Sequence, residues 1–107
     1  MLTEDQIKEL EGKHARLKRL YQEIDGDEVE LFVRPPTRGE YKMWRAAIHD
    51  DQKRAEATET LVRQCTVHPD REAVMALLEK YPALLDGPGV QKWVMKVTGA
   101  GAEERGK

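Results

Sequence analysis

Apolar and polar positions along the chain switch between a period of two and a period near 3.6. Thr3 followed by Gln6 has capping-box spacing, and Ile7 and Leu10 then give one apolar stripe before Gly12. This predicts a short helical lid of two or three turns. Residues 16–24 and 29–34 read as strands joined by DGDE at 25–28, which predicts a β-hairpin. Opposing positions keep the same parity whether the loop has two residues or four. Leu20, Ile24, Val29, Leu31 and Val33 therefore share the face turned to the core.

The sharpest switch lies in VELFVRPPTRGEYKMWR, residues 29–45. Neither Pro35 nor Pro36 can donate to a ladder, and each keeps its predecessor out of the α region, so the strand ends there. Thr37 and Glu40 form a second capping box, T-x-x-E, opening a helix whose stripe is Tyr41, Trp44, Ala47 and Ile48 and whose end is marked by HDDQKR. The junction reads as a strand-to-helix corner. Ala57, Leu61 and Cys65 line the next helix, which stops before Pro69. Asp70 is a suitable N-cap for a helix with the stripe Val74, Leu77, Leu78 and Tyr81, closed by Pro82. After LLDGPG, the residues Val90, Trp93, Val94 and Val97 form the last stripe, and from Gly99 the chain passes into AGAEERGK, expected to be a flexible tail. The predicted fold class is α+β: an N-terminal short helix and β-hairpin followed by a bundle of about four short helices, with Trp44 and Trp93 both largely buried.

Composition narrows the function classes. With 107 residues the chain has room for one modest core. Charged residues make up 36% and apolar ones 39%, with a mean hydropathy of -0.73, which describes a thick polar surface over a thin core. The 18 basic and 20 acidic side chains leave a net charge of -2, so there is no bulk cationic field for nucleic acid or anionic lipid. No apolar run approaches the roughly 20 residues of a membrane helix, and the acidic start MLTEDQIKELEGK does not have the form of a signal peptide. The single cysteine, Cys65, has no internal disulfide partner, which makes a reducing cytoplasm the expected compartment.

Candidate chemistries fall away on spacing. His14, His49 and His68 lie in different elements, so no helical pair of histidine ligands of the H-E-x-x-H kind forms. The acidic turn EIDGDEVE lacks the order of oxygen ligands that an EF-hand loop needs. HDD at 49–51 has no nucleophile and orienting partner, and GPGVQK lacks the strand and spacing of a phosphate loop. KHARLKR is a local basic cluster, but a helix-turn-helix drawn over 37–66 would hold Glu56 and Glu59 where DNA contacts belong. No catalytic, metal or cofactor-binding residue is expected, and no cofactor. Met43, Met75 and Met95 each sit one step off the stripe of a different helix and are the candidate partner-binding residues, a soft rim suited to an adaptable contact.

The β segment followed by RPPTRGEY, then LVRQCTVHPDRE with its helix–Pro–helix punctuation, LLEKYP, and a closing helix ending at VTG resembles the tail assembly chaperones of long-tailed bacteriophages and prophages. The likeness runs from about Val29 to Gly99. It implies one domain over residues 1–99, with 100–107 as the tail, in a non-enzymatic protein of the bacterial host cytoplasm. It further implies binding to the tape measure protein, which is kept soluble during tail tube assembly. The tail tube protein is a second expected partner and a weak homo-oligomer is compatible, with no nucleic acid and no membrane. The competing expectations are a structural head-tail connector or tail completion protein, and a small DNA-binding regulator. In relatives of that family ribosomes slip back one base near the end of the gene, and Arg105, Gly106 and Lys107 admit codons for such slippage.

Overall fold

The computed structural model describes residues 2–99, so the tail expected at 100–107, with Arg105, Gly106 and Lys107, lies outside the described residues. Within it the chain is an α+β fold. Helix α1 spans Glu4–Lys13, strands β1 and β2 span Lys18–Ile24 and Asp27–Val33, and helices α2 and α3 span Arg38–Ile48 and Arg54–Cys65. A short strand β3, Thr66–His68, precedes α4 (Arg71–Lys80), a 3₁₀ turn over Pro82–Asp86 and α5 (Pro88–Thr98).

The hairpin turn is tighter than the sequence suggests. Ile24 pairs with Asp27, leaving a two-residue turn in which Asp25 and Gly26 have φ of 51° and 84°. Asp-Gly is well suited to a turn that needs two positive φ values. Asp27 and Glu28 therefore belong to β2, although acidic residues are poor strand formers, because their side chains stand at the exposed end of the ladder. The register Leu20↔Leu31 and Gln22↔Val29 puts the expected apolar residues on one face, which packs on α3, α4 and α5. Leu31, Val33, Leu61, Val62, Cys65, Val74, Val90 and Trp93 form the centre of that core.

β3 is not visible in the apolar pattern. Its three residues pair antiparallel with the end of β2, so the sheet order is β1-β2-β3 with β2 central. Phe32, on the face opposite Leu31, is closed off here and meets the His68 ring edge-on at 6.2 Å. A side chain of the opposite parity to Val29, Leu31 and Val33 is thus buried as well, contrary to a purely one-faced strand. The glycine before α5 faces the Gln22 amide: a Cβ on Gly87 would fall 1.7 Å from Gln22 Oε1, so a side chain there would require that amide to move aside. The Tyr81 hydroxyl donates to Asp27 and ties the end of α4 to the hairpin.

Both capping boxes form. Thr37 Oγ1 accepts from the Glu40 N–H at 3.2 Å and Glu40 Oε1 accepts from the Thr37 N–H at 2.9 Å. Thr37→Ala should lower the urea midpoint by the equivalent of about 1 kcal/mol with an unchanged denaturant slope; an unchanged midpoint would show that the cap contributes nothing.

The two tryptophans differ. Trp93 is buried at 4% exposure, as expected. Trp44 is only half-buried, a correction to its expected burial, and α2 has no fully buried residue at all. The cause is topological: α2 packs principally on α3, so its apolar stripe is covered along one flank.

Candidate partner-binding surface

The corner at Pro35-Pro36 is held by an ion pair. Arg34 Nη1 and Nη2 donate to Glu40 Oε1 and Oε2 at 2.8 and 2.9 Å, a bidentate fork. Nη2 also donates to the Gln64 carbonyl at 2.8 Å, and the Arg34 backbone N–H donates to the Cys65 carbonyl at 2.9 Å. The cation therefore caps the C-terminal end of α3 and the anion stands in the first turn of α2, each at the helix end whose dipole favours it. Guanidinium and Thr37 N–H together hold the Glu40 carboxyl down at about 2. Burial, followed by the nearby Glu40 charge, pushes the Cys65 thiol up to about 12, so it is protonated at neutral pH. This arrangement joins β2, α2 and α3 into one unit and leaves no activated group at the corner.

What the corner positions is a groove. Between α2 and α3 lies an open depression of about 460 Å³, walled by Met43, Trp44 and Ala47 on one side and Ala57, Thr60, Leu61 and Gln64 on the other, with Asp50, Lys53 and Glu56 at one end. Met43 is 57% exposed on its rim, a large apolar side chain on a helix that buries nothing fully. Trp44 stacks on Tyr41, with ring centroids 6.2 Å apart, and its covered indole N–H has no acceptor among the described residues. An apolar-walled channel with charged residues at its mouth is suited to the apolar face of an amphipathic helix.

Comparison with family models, curated proteins and solved structures returns no match. The surface is therefore read from its own residues.

Of the three candidate methionines, Met43 lines the groove, and Met75, 46% exposed, lines a smaller hollow of about 220 Å³ with Leu78 and Pro82. Met95, 41% exposed on α5, lines neither. The structure thus distributes them over separate places rather than gathering them into one rim. Trp44 and Ala47 lie on the expected apolar stripe of α2, and their place on a groove wall depends on which helices neighbour α2, which a single stripe does not encode. His14 and His68 are half-buried and His49 ends α2. No group of three or more His, Cys, Asp and Glu side chains suited to a metal ion occurs among the described residues, and no helix among them is long and apolar enough to cross a membrane.

Proposed function

We propose that the chain is a non-enzymatic tail assembly chaperone of the kind its motifs resemble. In this reading it acts in the cytoplasm of a bacterial host and keeps a phage or prophage tape measure protein soluble while the tail tube forms. One observation carries the reading: α2 has an apolar stripe, no fully buried residue, and an open groove beside it. A holdase for long helical chains needs such a groove and no cofactor, and it gains from the heavily charged exterior, which keeps the complex in solution. The groove accepts helical segments through apolar contact, with Met43 as an adaptable wall.

Co-expression tests this directly. A phage tape measure protein co-expressed with this chain should be found mainly in the soluble fraction when the chain is present and mainly in the pellet when it is absent. An equal distribution with and without the chain would refute the proposal.

A further inference from the structure

The α2–α3 groove and the Met75 hollow each share lining residues of α3 with a third depression. Between them lies a cavity of about 430 Å³ lined by Glu40, Thr60, Arg63, Gln64 and Arg71. Thr60 and Gln64 also line the groove, and Arg63 also lines the hollow. At about 100° per residue, Leu61, Ala57, Gln64, Thr60, Arg63 and Glu59 follow one another round α3 through roughly 200°. The track therefore crosses the outer side of the helix from α2 to α4.

Its chemistry changes along the way. The groove end is apolar at Met43 with Trp44, the hollow end sets Met75 and Leu78 beside Glu59 and Glu79, and the middle is lined by two arginines. Arg71 has no ion pair among the described residues. Arg63 Nε is covered without a hydrogen-bond partner, its ion-pair partner Glu59 stands 3.8 Å away, and Glu79 lines the hollow with it. Glu40 does not cancel this charge, since its carboxylate is already engaged by Arg34 and the Thr37 N–H. A partly desolvated donor and an unpaired cation facing one cavity favour an anionic oxygen acceptor.

We infer that the middle of this track receives a carboxylate from the bound segment, so the chain selects segments in which an Asp or Glu stands between two apolar clusters. The inference deepens the chaperone proposal and rests on its apolar capture. The segment's apolar clusters occupy the groove and the hollow, and its carboxylate accepts from Arg63 and Arg71. A lone apolar helix fills one end only.

The test uses the full chain and two flexible synthetic peptides, each with a pair of leucines on either side of a central residue, Glu in one and Gln in the other. Fluorescence anisotropy should give an affinity about tenfold higher for the Glu peptide. Arg71→Gln, at an exposed position, should remove most of that advantage while leaving the Gln peptide's affinity unchanged; Arg63→Gln should do the same. Equal affinities for the two peptides, or an Arg71→Gln variant that weakens both alike, would overturn the carboxylate site and leave apolar capture standing. Failure of both peptides to bind would overturn the capture reading, and the inference with it.

Discussion

Arg34→Ala should destabilise the protein by about 3 kcal/mol, read as a lower urea midpoint. Removing the guanidinium takes two hydrogen bonds from a half-buried Glu40 carboxylate, leaving that from the Thr37 N–H, and one from the Gln64 carbonyl. Breaking one side of a buried pair typically costs about 3–5 kcal/mol because the remaining charge stays desolvated. Here 25% of the Arg34 and 19% of the Glu40 side chain still meet water, which places the cost at the lower end. The same pair sets an acid limit. Glu40 titrates at about 2 in the folded chain against an ordinary 4.5, so its ionised form favours folding. That contribution is fully present above about pH 4.5 and is lost as pH falls toward 2. At full value it amounts to about 3 kcal/mol, and solvent screening reduces the expected figure to about 2. Glu40→Gln should therefore be less stable than the natural chain at pH 6, and the gap should close between pH 4.5 and 2. A gap that stays constant over this range would show that the carboxylate charge does not stabilise the corner.

The backbone plan was largely legible because local signals agree with the fold. The prolines at 35 and 36, the two capping boxes and the alternation at Val29, Leu31 and Val33 each fix an element without reference to the rest of the chain. The parts that were not legible depend on long-range neighbours. β3 is three residues long and exists by pairing with β2, and Phe32 is buried by virtue of that pairing rather than by its place in the alternation. The Arg34–Glu40 fork joins residues six apart, but its meaning comes from Gln64 and Cys65, thirty positions on. For the candidate surface, the sequence marked Met43 and Met75 as off-stripe residues, and the structure adds Trp44 and Ala47 as groove walls because α2 packs principally on α3. Arg63 and Arg71 gave no signal, since one cation among many becomes distinctive only when a second faces the same cavity.

Met43→Lys should weaken binding of a tape measure fragment about thirtyfold while the circular dichroism spectrum stays native. Met43 is already exposed, so the fold loses little. In the complex its side chain would be covered, and burying a methionine is worth about 2 kcal/mol, which converts to that loss. Met95→Lys, which touches neither the groove nor the hollow, should leave affinity within about twofold, a change of under 0.5 kcal/mol. The most direct measurement follows from the chain having only four methionines. With methyl-labelled methionine, adding the tape measure fragment should shift the Met43 and Met75 resonances and leave Met95 in place. A bound fragment that leaves Met43 unmoved would contradict capture in the α2–α3 groove.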